Sequence, residues 1–275
     1  MVSSVNTNAG ALIALQNLNS TSKQLATVQG RINTGLKVAG AKDNGAIFAI
    51  AQNLRSDVAG LNAVKGSLDR GISAVDVAVA AGESISDLLI QMKEKAVAAS
   101  DSGLDSASRT ALQSDFEALR DQITTIVTNA EFNGTNLIKN SGDAVTAIVN
   151  DKGTQTITVA AQDLSLTGTT ISIATTTTFT TATTAASAVT LLESSISAVN
   201  SALATLGTGS KKLDAQRTFV NKLSDVIDVG IGNLVDADLA KESARLQSLQ
   251  VKQQLGIQAL SIANQAPSTV LALFR

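Results

Sequence analysis

Apolar residues recur at alternating steps of three and four through most of the chain, the spacing that sets one stripe of a helix against a partner. Between Ser56 and Ser100 the stripe runs Leu61, Val64, Leu68, Val75, Ala78, Ile85, Leu89 and Met92. Gly71 and Gly82 fall on it, where a missing side chain lets a neighbour come close. A shorter helix follows, marked by Leu112, Phe116, Leu119, Ile123 and Ile126. Leu192, Val199, Leu206, Leu213, Val220 and Ile227 then recur every seven residues. Near the start, Ala11, Ala14, Leu18, Leu25, Val28 and Ile32 read the same way, with Thr21 taking one position. At about 1.5 Å per residue, a helix from Ser56 to Ser100 is roughly 65–70 Å long, which predicts a rod.

Helix breakers divide this pattern. Gly35, Gly40 and Gly45, with Lys37, Lys42 and Asp43, predict a joint within residues 33–55. Gly230-Ile-Gly232 predicts a second joint, and Asp101-Ser-Gly-Leu-Asp-Ser a capped turn. Beyond Ala130, Phe132, Asn133 and Gly134 form a tight turn from the rod into a region of different character. There Ala144–Val149 and Thr154–Val159 read as a hairpin through Asn150-Asp-Lys-Gly153. The threonine-dominated stretch Thr167–Thr184, with Ile171, Ile173 and Phe179 at even intervals, reads as a strand with one apolar face. The expected fold is mainly α: a long antiparallel, coiled-coil-like helical rod, a small β-hairpin region and paired termini. Its expected parts are an N-terminal inner helix at 1–44, rod helices at 45–140, an outer β and threonine-rich region at 141–185, a rod helix at 186–234 and a C-terminal inner helix at 235–275.

The two ends share an unusual feature. Val2 to Ser22 contains no charged side chain, and after Lys252 none follows until Arg275. Burying an ionised group costs several kcal/mol, so ends meant for a buried location should lack them. In the C-terminal segment Leu246 and Leu249 lie on one stripe, Val251, Leu255 and Ile262 on another. A helix apolar around much of its circumference asks to be surrounded. Leu12, Leu18 and Leu25 facing Leu246, Leu249, Leu255, Leu260 and Ile262 are the candidate assembly interface. Each fully buried leucine contributes about 1.5–3 kcal/mol, so a handful summed over neighbouring copies can drive polymerisation. Gln253, Gln254 and Gln258 are candidates for lining a central channel, where uncharged amides would not trap a passing chain.

Composition narrows the chemistry. Of 275 residues 44% are hydrophobic yet only 2% aromatic, with no Trp or Tyr, which suits close helix contact along a length better than a globular enzyme core. The absence of His and Cys removes disulfides, thiol catalysis, most metal sites and most nucleophile–base pairs, predicting neither enzyme nor cofactor. A net charge of −2 predicts no nucleic-acid or anionic-membrane partner. Residues 2–22 lack the basic region of a signal peptide, and no run approaches 18 apolar residues, so nothing is expected to span a bilayer. The chain is therefore cytoplasmic or exported by a route that cleaves nothing. The threonine run reads as a solvated β surface or as a site of O-linked sugars, which intact mass would distinguish.

The residues carrying this symmetrical plan resemble bacterial flagellin. Val5-Asn-Thr-Asn-Ala9 with Asn17-Leu18, Arg31-Ile-Asn-Thr-Gly35, Ala41-Lys-Asp-Asn-Gly45 and Glu131-Phe-Asn-Gly134 match family motifs. So do Asp236-Ala-Asp-Leu-Ala-Lys-Glu-Ser243, Gln253-Gln254, Ala263-Asn-Gln265 and Leu271 to Arg275. The resemblance covers about residues 1–140 and 186–275. It implies a secreted subunit of the extracellular filament that polymerises with itself, alone or mixed with other flagellins. Its implied partners are the flagellar type III export apparatus, an export chaperone that samples Leu271, Leu273 and Phe274, and hook-associated and cap proteins. It also implies terminal helices that order on assembly. One segment departs from the family: where enterobacterial-type flagellins carry the arginine-rich stretch read by an animal immune receptor, this chain has Leu89-Ile-Gln-Met-Lys-Glu-Lys95. Gln91 replaces the first arginine beside Lys93 and Glu94, which predicts weak receptor activation. The rival readings are a hook–filament junction protein on a related plan and, from another class, a coiled-coil signalling rod.

Overall fold

Polar side chains at helix starts set much of the local structure. Asn44 accepts a hydrogen bond from the Ile47 amide at 3.1 Å, and Asp105 from the Ser108 amide at 2.7 Å, each satisfying a backbone donor that the first helical turn leaves free. In a computed structural model that describes residues 7–174 and 176–272, with side chains through Gln265, these caps open two of five helices. The helices are α1 (Ala9–Thr34), α2 (Gly45–Ala99), α3 (Ser106–Asn129), α4 (Ala182–Val235) and α5 (Leu239–Ala272). Strands β1 (Val145–Ile148) and β2 (Thr156–Val159) lie between α3 and α4. The chain divides into one unit formed by residues 1–56 with 226–275 and a second formed by 57–225.

The second unit holds most of the core. Leu192, Val199, Leu206, Leu213 and Val220 of α4 are all 0% exposed, as the period of seven predicts. They meet α2 antiparallel: Lys93 pairs with Glu193 at 2.8 Å, Ser210 bonds Asp76, and Arg217 pairs with Asp69 at 3.3 Å. Helix α3 folds back on the end of α2, closed by Arg109, which donates to the carbonyls of Ala99, Asp101 and Leu104. Phe116, Ile123 and Val127 are the buried stripe of α3.

The hairpin forms in the expected place with the register Val145↔Val159 through Ile148↔Thr156. It lies against glycines. A Cβ on Gly71 would stand 3.3 Å from Val145 Cγ1, and one on Gly209 only 2.7 Å from Val159 Cγ1. The rod-to-β turn also forms as read. Phe132 and Thr135 exchange both backbone bonds, at 2.9 and 3.0 Å, around Asn133 (φ 50°) and Gly134 (φ 83°). Asn136, which the pattern did not single out, is buried behind this turn. It donates to the Val127 carbonyl and accepts from the Ile138 and Lys139 amides.

Four expectations need correction. Thr167–Thr184 forms no strand among the described residues: a single bridge joins Leu166 and Ile171, and α4 already begins at Ala182. The alternation was real, since Ile171, Ile173 and Phe179 are buried. They are held by core contact, the Phe116–Phe179 ring pair at 4.6 Å, and by Gln113, which bonds both Thr177 and Phe179. The restart at Ser56 comes too late, because α2 runs from Gly45 once Asn44 caps it. Gly230 and Gly232 break nothing; α4 continues to Val235, as isolated glycines lower helix stability by only about 1 kcal/mol. By length and composition α4 could cross a membrane, against the expectation of no such segment. Its apolar row is buried within the unit, and serines, threonines and asparagines fill much of the remaining surface.

Candidate assembly surface

In the first unit α1 and α5 pair antiparallel. At one end Asn8 caps α1 by accepting from the Ala11 amide and donates to the Ala263 carbonyl at 2.6 Å. Midway, Gly256 lets Leu18 approach so closely that a Cβ there would sit 3.3 Å from Leu18 Cδ1. At the other end Arg31 meets Glu242 at 3.1 Å. Glu242 stands in the first turn of α5 and Arg31 in the last turn of α1, so each charge faces the favourable end of its own helix dipole. Glu242 is 8% exposed, while Arg31 Nε and Glu242 Oε2 have no partner, leaving the pair monodentate.

The two joints are stitched together beyond this pair. Gly35 ends α1 in the left-handed conformation, φ 71°, which glycine adopts freely. The amides of Lys37 and Val38 then donate to the Val235 carbonyl, and Ala237 donates to the Gly35 carbonyl at 2.8 Å. Asp43 accepts from the Ala39 and Gly40 amides and shapes the remaining loop.

Two adjacent heptad rows run along α5, one residue apart. Glu242, Leu246, Leu249, Gln253, Gly256, Leu260 and Ala263 are buried or half-buried and form the row on the α1 side. Lys241, Arg245, Ser248, Lys252, Leu255, Ala259 and Ile262 are all exposed. On α1 the matching covered row is Ala11, Ala14, Leu18, Thr21, Leu25, Val28 and Ile32.

The predicted interface residues therefore separate into two sets. Leu18, Leu25, Leu246, Leu249 and Leu260 lie on the covered rows, with Leu249 3% exposed. Leu12, Leu255 and Ile262, expected to face the partner helix, instead point outward at 59, 57 and 70% exposure, because they occupy the neighbouring row. Leu12 lines a groove of ≈ 460 Å³ with Leu15, Gln16, Asn19, Ser20 and Lys23. Gln253 is half-buried on the covered row and does not share the exposed face of Gln254 and Gln258. Leu273 and Phe274 lie outside the described residues, as do Val5 and Asn6, and the Leu271 side chain is not described.

In the second unit Gln91 and Glu94 are exposed, whereas Lys93 is half-buried and held by Glu193. Beside them Lys95 titrates above its ordinary 10.5 because it donates to the Asp115 carboxylate at 2.8 Å. No cluster of three or more potential metal ligands occurs among the described residues.

The antiparallel terminal helices leave aliphatic residues exposed on two sides, a surface suited to interaction with partners. The chain matches the bacterial flagellin N-terminal helical region over residues 5–143 and the bacterial flagellin C-terminal helical region over residues 189–274. It belongs to the flagellin family. Flagellin FljK of Caulobacter vibrioides is 57% identical over 274 residues, covering 100% of this chain and 99% of its own. A flagellin of Brucella melitensis is 35% identical over 287 residues, covering 100% of both chains. Among solved structures, Bacillus cereus flagellin matches at a TM-score of 0.50 and 24% identity, covering 56% of this chain and 88% of that one. A Vibrio parahaemolyticus protein described as flagellar hook-associated matches at 0.59 with 11% identity, covering 70% and 100%. Both structural likenesses bear on the fold alone. This flagellin is a structural subunit of the flagellar filament, the extracellular helical polymer of swimming motility. Its length fits flagellins without large outer domains, and the junction-protein reading has no better support.

Proposed function

We propose that the α1/α5 hairpin is the inner layer of the filament, carrying the contacts that join subunits, and that residues 57–225 form the layer around it. The carrying observation is the exposure of Leu12, Ile13, Leu15, Val251, Leu255, Ile257 and Ile262 on the paired helices α1 and α5. Val28 is the buried residue of α1, and Leu249 the buried apolar residue of α5 among the described side chains. Two such burials contribute about 3–6 kcal/mol. Ordering each residue costs about 1–2 kcal/mol in backbone entropy, so hairpin helices of this length depend on neighbours for stability.

The same reading has the subunit secreted unfolded through the flagellar export apparatus, delivered by a chaperone that reads Leu271, Leu273 and Phe274, and capped by hook-associated and cap proteins. Gln254 and Gln258, exposed on one face, line the channel; the covered Gln253 supports the hairpin. The protein acts by assembly, without catalysis. Gln91 in place of arginine makes it a weak activator of the animal receptor, and strong activation by purified monomer in a reporter assay would refute that.

The deciding experiment incubates purified monomer with filament seeds, beside a version lacking residues 1–40, following length by microscopy and helix content by circular dichroism. The full chain should elongate seeds and gain helix; the truncated chain should do neither. A monomer already fully helical that never elongates seeds would sink the reading.

A further inference from the structure

Phe219 is out of place on the rod. Among the phenylalanines with described side chains it alone is exposed, at 56%, outside the buried row of Leu213 and Val220 on α4. Lys222 and Val226 follow on the same face, Val226 at 68% exposure. The Lys222 side chain has no hydrogen-bond or ionic partner among the described residues. An aromatic side chain left in water beside an aliphatic one is the kind of surface that marks a contact.

The same unit carries a cavity that suits it. Where α3 ends, Thr124, Val127, Thr128 and Leu166 line a hollow of ≈ 480 Å³, with Glu131 at its edge. Val127 is 5% exposed, and Asn136 beside it already has its side-chain amide engaged by Val127, Ile138 and Lys139. The hollow therefore offers more to an apolar side chain than to a polar ligand. Glu131 is exposed and has no side-chain partner among the described residues, while Lys139, which also lines the cavity, is held by Asp143 at 3.2 Å. The last carbonyls of α3 add partial negative charge at the same place, so a cation is favoured there. The spacings agree: Lys222 lies one turn beyond Phe219, and Glu131 one turn beyond Val127.

Phe219 cannot reach the hollow of its own chain. The pairs Lys93–Glu193, Asp76–Ser210 and Asp69–Arg217 set Phe219 level with Ser67 of α2, and Lys95–Asp115 sets Val127 level with Glu83. Positions 67 and 83 are 16 residues apart, about 24 Å along the helix. A projection and a hollow at different places on one molecule make a heterologous contact, which repeats from copy to copy and suits an open helical polymer.

We propose that Phe219 of one copy enters the hollow at the end of α3 in a second copy, with Lys222 on Glu131. The proposal rests on self-assembly and adds to the hairpin a named contact between the surrounding layers.

Elongation of wild-type seeds by Phe219→Ala monomer should show at least a tenfold higher critical concentration, with monomer Tm unchanged because the side chain is exposed. Lys222→Glu and Glu131→Lys should each raise the critical concentration at least threefold, and the two together in one chain should recover most of the loss. The chain has no cysteine, so introduced thiols are unique. A Lys222→Cys chain and a separate, size-tagged Glu131→Cys chain are co-polymerised on wild-type seeds and treated with a short bis-maleimide. Mixed-size dimers should form in filaments and not in mixed monomers, and should drop at least fivefold when Ser114→Cys, in the N-terminal half of α3, replaces Glu131→Cys. A Phe219→Ala chain that elongates seeds as wild type does would overturn the docking while leaving polymerisation intact. Filaments without mixed-size dimers would overturn it too, as would cross-links confined to Lys222→Cys chains, which place α4 against another α4. A lowered monomer Tm with unchanged critical concentration would assign Phe219 to the monomer's own core and overturn it as well. Wild-type monomer that cannot elongate seeds would remove self-assembly itself.

Discussion

Truncating a buried leucine should have opposite signatures in the two units. Leu249 is 3% exposed on the covered row of α5; Leu206 is 0% exposed in the middle of the α4 seam. Leucine-to-alanine changes in cores cost about 2–5 kcal/mol, the transfer loss plus whatever void persists. Around Leu249 the neighbours Leu246, Gln253 and Leu25 are only half-buried, so the site can collapse or admit water and the cost falls near 2 kcal/mol. That loss should not move the melting of the monomer, whose cooperative core lies in residues 57–225. It should instead appear where the hairpin must be ordered, in the filament: about 2 kcal/mol per subunit corresponds to roughly a thirtyfold rise in critical concentration. Leu206→Ala, with tightly packed surroundings, should cost about 3–4 kcal/mol and lower the monomer Tm by roughly 6–16 °C. Sedimentation of filaments at equilibrium and thermal circular dichroism of monomer read the two quantities separately. If Leu249→Ala lowers the monomer Tm as far as Leu206→Ala and leaves the critical concentration unchanged, the hairpin is part of the monomer's core and the division of labour is wrong.

Other outcomes follow from single contacts. Gly209→Ala gains about 1 kcal/mol of helix propensity but drives a Cβ to 2.7 Å from the stiff, β-branched Val159, an overpacking cost of about 1–3 kcal/mol, so monomer Tm should fall. Gly30→Ala meets nothing within 4 Å and should lower the critical concentration instead. A double-mutant cycle of Arg31→Ala and Glu242→Ala, read in critical concentration, should give a coupling of about 1–2 kcal/mol; the 28% exposure of the Arg31 side chain keeps it below a fully buried pair, and coupling indistinguishable from zero would deny the pair its role. Asp105 titrates below its ordinary 3.8 because the Ser108 hydroxyl, and after it the Ser108 amide, bond its carboxylate. Its contribution to stability is therefore full above that value and is lost as pH falls through the lower, folded one. Asp105→Asn keeps the cap acceptor without the titration, so its Tm should fall less steeply than wild type from about pH 4 downward; parallel curves would contradict this.

The helical rows, the turn at Asn133-Gly134 and the hairpin were legible because each depends on residues near in sequence: steps of three and four, a dipeptide suited to positive φ, alternation over a few positions. The lack of charge at both ends predicted burial, yet Leu12, Ile13, Leu255, Ile257 and Ile262 stand exposed on the single chain. Tertiary structure decided what spacing alone leaves open. A helix with aliphatic residues on two adjacent rows has two candidate seams, and only the partner selects one: Gly256 admitting Leu18, with Glu242 in reach of Arg31, turns Leu249 inward and Leu255 and Ile262 outward. Strand or irregular chain was equally undetermined for Ile171 and Ile173, because a strand needs a neighbour to complete its backbone bonds and side-chain alternation does not reveal one. Gly35 ends a helix and Gly230 and Gly232 do not, since α4 continues through them until the Val235 carbonyl is taken by the amides of Lys37 and Val38, residues nearly two hundred positions away. What the sequence by itself determined is which residues seek burial; which neighbour buries them is a property of the folded chain.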